Sequence, residues 1–124
     1  MLDKIRILIV DDHAVVREGL KAILATAINI DVVAEAGSVP DARALLEGQS
    51  FDTILLDLTL RDRSGMELLK SIKAKNPKLP VLILSSFGED QYALQALKAG
   101  ADGYLNKESA PEQLIAAVER VASG

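Results

Sequence analysis

Cysteine is absent from this 124-residue sequence, which excludes disulfides, thiolate chemistry and cysteine-based metal sites. No apolar run approaches the ~20 residues that a membrane-spanning helix needs. The N-terminal segment reaches acidic residues too early for a signal peptide, so we expect a soluble cytoplasmic protein without membrane contact. Excess positive charge is also absent. The net charge of −4 leaves no electrostatic basis for direct nucleic-acid binding by this segment.

The composition that remains is that of one globular domain. Hydrophobic residues make up 49% of the chain and charged residues 26%, which argues against disorder. A chain of this length can bury a substantial core without covalent cross-links. We therefore expect residues 1–124 to form a single domain.

Five short apolar segments alternate with amphipathic helical patterns along the chain. The predicted strands are Ile5–Val10, Asp31–Gly37, Thr53–Asp57, Val81–Leu84 and Gly103–Leu105. Ser38 is a predicted cap of the second helix, and Ser109 with Glu112 is a predicted capping box for the last one. Strands that are apolar throughout and alternate with helices predict an α/β fold, a mostly parallel sheet covered on both faces.

Polar side chains follow four of the five predicted strands. Asp11 and Asp12 follow the first strand, and Asp57 ends the third. Ser85 follows the fourth strand and Lys107 the fifth, whereas the second strand is expected to contribute no chemical group. Because the carboxyl ends of parallel strands share one edge, three carboxylates converge there if the first and third strands are neighbours.

Three converging carboxylates require a cation or a proton among them. Two carboxylates ~4 Å apart repel by about 4 kcal/mol at an effective dielectric constant near 20. Mg²⁺ prefers carboxylates, waters and phosphate oxygens as ligands. With Mg²⁺, Lys107 and Ser85 each facing one phosphoryl oxygen, Asp57 is the carboxylate best placed to attack phosphorus.

With these residues identified, the chain resembles the receiver domain of bacterial two-component response regulators. The resemblance rests on "ILIVDDH", "ILLDL" followed by "SGMELL", "VLILSS" and "AGADGYLNK", in that order. "DDHAVVREGL" and "GADGYL" are most similar to the NarL/FixJ (LuxR-type) branch. The resemblance implies the flavodoxin-like (βα)5 receiver fold, a doubly wound five-stranded parallel sheet of order 2-1-3-4-5.

The resemblance also implies a role for each site residue. Asp57 would accept a phosphoryl group from a phosphohistidine on a sensor histidine kinase. Asp12 and Asp57 would bind Mg²⁺ directly, with the Thr59 carbonyl as a further ligand and Asp11 acting through water. Lys107 would pair with the phosphoryl group. The protein would phosphorylate itself and slowly lose the group, as a switch rather than a turnover enzyme.

Switching would involve Ser85 and Tyr104, with the tyrosine moving inward as the serine is drawn to the phosphate. The readout surface would be the face around Tyr92, Leu97, Tyr104 and the last helix. The implied partners are an output domain, its own or a partner's, and a second copy of the chain after phosphorylation. Members of this branch usually carry a C-terminal DNA-binding output domain, which we expect to be absent from this chain.

Two positions depart from the family pattern, and three other functions compete with it. Arg61 replaces a usual proline after the phosphoacceptor, and Glu108 replaces a proline that often follows a cis peptide bond.

A Mg²⁺-dependent phosphatase would need a second acid where Thr59 stands. A flavodoxin relative would not place "DDH" beside an anionic phosphate, and a degenerate receiver that only docks proteins would not need the full residue set. The single histidine, His13, is predicted to be a helix-start residue rather than a ligand.

Overall fold

The computed structural model describes residues 3–58, 60, 65–86 and 90–124, in which five strands alternate with five helices. The strands are β1 (Ile5–Val10), β2 (Ile30–Ala36), β3 (Thr53–Asp57), β4 (Val81–Ser85) and β5 (Gly103–Asn106). The helices are α1 (Ala14–Leu24), α2 (Val39–Gly48), α3 (Gly65–Lys75), α4 (Asp90–Lys98) and α5 (Pro111–Ser123). The strand bounds match the predicted ones to within one residue at each end. Each helix in the described residues is too short or too polar to traverse a lipid bilayer.

The sheet has the order β2-β1-β3-β4-β5, and every neighbouring pair is parallel. This confirms the predicted order and makes β1 and β3 adjacent. The central strands β3 and β4 are buried along their whole length. Helices on both faces explain why these strands carry apolar side chains at consecutive positions.

Alternate residues of the strands contribute to two separate hydrophobic cores. Leu8 and Val10 of β1 pack in the core that α2, α3 and α4 cover. Ile7 and Ile9 point to the opposite face, in the core that α1 and α5 cover. All four side chains are fully buried, so the sheet is a rigid support for the loops at its carboxyl edge.

The structure confirms the predicted start of one helix and contradicts the predicted start of another. Ser38 caps α2 as predicted, because its Oγ accepts a hydrogen bond from the Asp41 amide at 3.2 Å. The predicted capping box of Ser109 and Glu112 is wrong. Helix α5 begins at Pro111, with Ala110 at the N-cap and its amide bonded to Gln113 Oε1 at 3.1 Å. Proline suits the first helical position, since its φ is already helical and its missing N–H is not needed there.

Candidate functional site

The carboxyl edge of the sheet brings together the acidic residues that follow β1 and β3. Val10 pairs with Leu56, so Asp11 and Asp57 occupy matching positions at the ends of neighbouring strands. Ligand atoms of Asp11, Asp12, His13 and Asp57 all lie within 4.8 Å of one another. The predicted convergence of three carboxylates is therefore present in the structure.

Lys107 is the cation that faces this cluster. Its Nζ lies 2.9 Å from Asp11 Oδ2 and 3.1 Å from Asp57 Oδ2, and both aspartates are fully buried. Burial lowers the pKa of Lys107, but its hydrogen bond to Asp11 and the charges of Asp57 and Asp11 outweigh that effect and raise the pKa above its ordinary value. Lys107 is therefore a stable positive charge between the two carboxylates.

Ser85 lies at the end of β4, beside the strand that carries Asp57. Its side chain is 1% exposed, and its Oγ has no hydrogen-bond partner among the described residues. Its carbonyl oxygen accepts a hydrogen bond of 2.8 Å from the Lys107 amide. A buried hydroxyl without a partner is energetically costly, which is typical of a group that completes its bonding with a ligand.

The remaining predicted residues lie at the rim of the site or outside the described part of the chain. Tyr104 is on β5, with 40% of its surface exposed. Thr59 and Arg61 fall outside the described residues. The Glu108 amide donates to Asn106 Oδ1 at 2.8 Å, and no peptide bond in the described segments is cis.

Three residues that the sequence analysis did not select support the acidic loop. Arg17 of α1 donates from Nη1 to the carbonyl oxygen of Asp11 at 2.6 Å and from Nε to Glu35 Oε1 at 2.7 Å. A side chain at Gly37 would begin 3.2 Å from Arg17 Nη1, so the glycine leaves room for the guanidinium. The second strand thus contributes Glu35, which holds Arg17 in place and is not part of the acidic cluster. The "VVREGL" pattern predicts that Arg17 lies on the first helix, but it does not predict that Arg17 contacts Glu35.

Glu35 is an acceptor for two cations. Hydrogen bonds from Lys21 and then from Arg17 lower the pKa of the Glu35 carboxyl group below its ordinary value, against the opposing effect of burial. Lys21 also pairs with Glu18. This small network joins α1 to β2 next to the loop that carries Asp11.

His13 is the N-cap residue of α1, as predicted, but its side chain makes no capping bond. Instead the ring Nδ1 lies 3.0 Å from Asp12 Oδ1 and 3.3 Å from Asp11 Oδ1. The imidazole therefore belongs to the cluster, which the prediction of a simple helix-start residue did not include.

The donor set fits a hard divalent cation. Among the described residues, the cluster contains three carboxylates beside the Lys107 ammonium group, and carboxylate oxygens are the ligands that Mg²⁺ prefers. A cavity of about 150 Å³ lies between α2 and α3 and includes none of the clustered residues. This cavity is therefore separate from the acidic cluster.

Comparison with known protein families agrees with this arrangement. Residues 7–119 match the response regulator receiver domain family. The chain is 40% identical over 120 residues to the DNA-binding transcriptional activator DevR/DosR of Mycobacterium tuberculosis, an alignment that covers 97% of this chain and 55% of that protein. The chain spans about half the length of the curated relatives it matches.

Solved structures with the same fold include a LuxR-family two-component response regulator from Aurantimonas sp. The TM-score is 0.91 at 34% identity, covering 98% of this chain and 87% of that one. The signal receiver domain of the response regulator NarL from Mycobacterium tuberculosis superposes with a TM-score of 0.89 at 31% identity, and 98% of each chain is covered. These similarities extend over the whole sheet and its carboxyl edge.

Proposed function

The chain belongs to the response regulator receiver family, and from this premise we propose that it is the phosphoryl-accepting switch of a two-component phosphorelay. In this proposal, Asp57 accepts a phosphoryl group from a phosphohistidine on a sensor histidine kinase. The observation that carries it is the position of the Asp57 carboxylate. It ends β3, lies 3.1 Å from the Lys107 ammonium and belongs to the acidic cluster.

The transfer requires a nucleophile and a group that offsets developing charge. An oxygen of Asp57 attacks phosphorus, and the new O–P bond forms as the bond from phosphorus to the donor's imidazole nitrogen breaks. The donor leaves with the electron pair as neutral imidazole when its other ring nitrogen carries a proton. The Lys107 ammonium is paired with Asp57 before the transfer. During the transfer it would stabilise the negative charge on the phosphoryl oxygens.

The acidic residues would hold a magnesium ion. Asp12 and Asp57 would be direct ligands, with the Thr59 carbonyl as the further ligand that the family resemblance implies. Asp11 would act through water. Its Oδ1 accepts the His13 amide at 2.8 Å and its Oδ2 pairs with Lys107, which supports an indirect role. When bound, the ion would supply positive charge that offsets the negative charge of the carboxylates and of the phosphoryl group.

The response to phosphorylation would begin at Ser85. Its buried Oγ would gain the phosphoryl oxygen as a partner, and the Lys107 amide that is bonded to the Ser85 carbonyl would connect this movement to the segment after β5. Tyr104 on β5 would then move inward from its partly exposed position. The face around Tyr92, Leu97 and α5 would carry the signal to a partner, through two alternative packings.

The wider role rests on the relatives. DevR/DosR is described as a DNA-binding transcriptional activator, and this chain would regulate such an output domain, its own or a partner's, in the cytoplasm. Phosphorylation would favour pairing of two copies. The protein would act as a switch that slowly loses its phosphoryl group rather than as a turnover enzyme.

Incubation with a small acyl phosphate and Mg²⁺ tests the proposal. We expect the intact mass to increase by one phosphoryl group, in a linkage that is stable in acid and labile in base. Asp57→Asn should abolish the increase. The matched control is Asp52→Asn, because Asp52 precedes the same strand at its opposite end, where it accepts the Arg6 amide.

Two outcomes would contradict the proposal. A phosphoryl group that remains in Asp57→Asn would assign the acceptor elsewhere. No phosphorylation of the parent protein by either the acyl phosphate or a phosphorylated kinase would favour a receiver that serves only to dock proteins.

A further inference from the structure

An aspartate directly precedes two of the strands, and each bonds to the neighbouring strand in the same way. Asp52, before β3, donates its amide to the Arg6 carbonyl at 2.8 Å and accepts the Arg6 amide on Oδ2 at 2.8 Å. Asp102, before β5, donates its amide to the Val81 carbonyl at 2.9 Å and accepts the Val81 amide on Oδ2 at 2.8 Å. Each aspartate therefore fixes the start of its own strand against the strand beside it.

Asp102 is also held by Lys73 of α3, whose side chain is only 12% exposed. Lys73 Nζ donates to Asp102 Oδ2 at 2.7 Å. It also donates to the carbonyl oxygens of Leu79 at 2.7 Å and Pro77 at 3.4 Å, so all three of its N–H groups have acceptors. Gly100 has a φ of +111°, and a Cβ there would lie 3.3 Å from Lys73 Cγ. Asp102 is thus attached to α3 as well as to β4.

The two strands differ in how their register is specified. Strand β3 pairs on both sides and is buried along its whole length, so its apolar side chains alone fix its register. Strand β5 has four residues, lies at the edge of the sheet and pairs only with β4. None of these four residues is fully buried, so side-chain burial specifies the register of β5 weakly. The bonds of Asp102 therefore matter more for β5 than those of Asp52 do for β3.

The register of β5 decides where Lys107 lies. Asn106 ends β5 opposite Ser85, and Lys107 follows it. A slip of β5 by one residue would move the Lys107 backbone by about 3.3 Å and turn its side chain towards the opposite face of the sheet. The contact of 3.1 Å between Lys107 Nζ and Asp57 Oδ2 would then be lost.

We propose that Asp102, held by Lys73, is a positioning residue that sets the register of β5 and thereby places the Lys107 ammonium between Asp11 and Asp57. Asp102 lies at the opposite edge of the sheet from the acidic cluster, roughly 16 Å from Lys107 along an extended strand, and acts through β5. The role of Lys107 in phosphoryl transfer rests on the proposed function. The placement of Lys107 depends on the fold alone, so the two can be tested separately.

Urea denaturation without divalent ions tests the placement. Lys107→Ala should lower the midpoint of unfolding, and this shift should be about halved when Asp102→Ala is already present. Replacements at sites this far apart normally have additive effects on stability, so a reduced shift means that Asp102 acts on Lys107. The matched control is Asp52→Ala, in which Lys107→Ala should cause its full shift.

Two further variants separate the parts of the anchor. Asp102→Asn keeps an oxygen that can accept the Val81 amide, and in this background Lys107→Ala should cause most of its full shift. Lys73→Met leaves Asp102 in place but removes its cation, so the shift should be reduced less than in Asp102→Ala. Lys73→Met also provides the same test if Asp102→Ala does not fold.

The rate of phosphorylation by a small acyl phosphate at saturating Mg²⁺ tests the consequence. Asp102→Ala should slow the reaction by about tenfold, because a misplaced ammonium group no longer faces the phosphoryl oxygens. Asp52→Ala and Asp102→Asn should each slow it by less than about twofold.

Additive midpoint shifts in both Asp102→Ala and Lys73→Met would overturn the inference. Equal slowing of phosphorylation by Asp102→Ala and Asp52→Ala would overturn it as well, since a general loss of stability would then explain both. A parent protein that is not phosphorylated would reject the proposed function. The midpoint shifts would still decide whether Asp102 places Lys107.

Discussion

The guanidinium of Arg17 donates a hydrogen bond of 2.6 Å to the carbonyl oxygen of Asp11. A helix side chain thereby holds the backbone of the loop that presents the acidic cluster. The same guanidinium is bonded to Glu35 on the neighbouring strand, so its own position is determined by two elements. Because Arg17 bonds to the backbone of Asp11 and to Glu35, its effect would be on the position of the acidic loop.

Replacing Arg17 should weaken cation binding more than it weakens the fold. Arg17→Lys removes the guanidinium group whose separate nitrogens bond to Asp11 and Glu35, because lysine has a single terminal donor group. We expect the Mg²⁺ concentration for half-maximal phosphorylation to rise about tenfold. Gly37→Ala should act in the same direction, because its Cβ would begin 3.2 Å from Arg17 Nη1.

The matched control for that series is Arg43→Lys. Arg43 donates to Ser71 between α2 and α3, away from the carboxyl edge. Arg43→Lys should leave the Mg²⁺ concentration for half-maximal phosphorylation unchanged. Equal effects of the two arginine variants would show that Arg17 has no specific role at the site.

Gly65, the first residue of α3, should not tolerate a side chain. An added Cβ would lie 2.6 Å from the Asp57 carbonyl oxygen and 2.7 Å from Leu58 Cα. Both are backbone atoms of the segment that carries the proposed acceptor, so Gly65→Ala should lower the free energy of unfolding by about 1–3 kcal/mol and slow phosphorylation. Chemical denaturation and the mass assay measure the two effects.

Gly19 provides the contrasting substitution. It lies inside α1, and a Cβ there would have no atom within 4 Å. Gly19→Ala should therefore stabilise the protein by about 0.5–1 kcal/mol, through helix propensity. If both alanine variants changed stability in the same direction and by the same amount, the close approach at Gly65 would not be the cause.

Removing the Lys107 ammonium should leave two buried carboxylates without their main cation. Lys107→Ala is expected to lower the free energy of unfolding by about 3 kcal/mol at neutral pH without divalent ions. Millimolar Mg²⁺ should restore part of that loss, because it supplies positive charge to the same carboxylates. Lys98→Ala, at an exposed position of α4, is the control for loss of one positive charge. An equal loss in both variants would contradict the prediction.

The Glu35 network should contribute stability above the ordinary pKa of glutamate and lose that contribution in acid. The pKa of Glu35 in the folded protein is below its ordinary value of 4.5, so protonation removes the interaction as the pH falls through the folded-state pKa. Glu35→Gln should cost about 1 kcal/mol at pH ~7 and progressively less below pH ~4.5. Urea titrations of both proteins across this range measure the difference. A cost that does not depend on pH would rule out the ion pairs as its source.

The sequence pattern predicted the strands and the group of residues at the carboxyl edge, and the family resemblance implied the strand order. Apolar runs such as Ile54–Leu56 identify a strand buried on both faces, and the residue that follows such a strand must emerge at its end. Asp11, Asp57 and Lys107 could be selected for that reason. The start of α5 was misplaced, because a serine followed by glutamate is a weaker signal than the proline next to it.

The sequence by itself determined which face and which edge each residue occupies, because strand and helix periodicities are local properties of the chain. Only the tertiary structure decided that Arg17 reaches Glu35 across 18 residues of sequence, and that the His13 ring turns towards Asp12 rather than away from it. Such contacts depend on the distance between packed elements and on the side-chain torsions that this packing allows. No repeating pattern along the sequence encodes those two quantities.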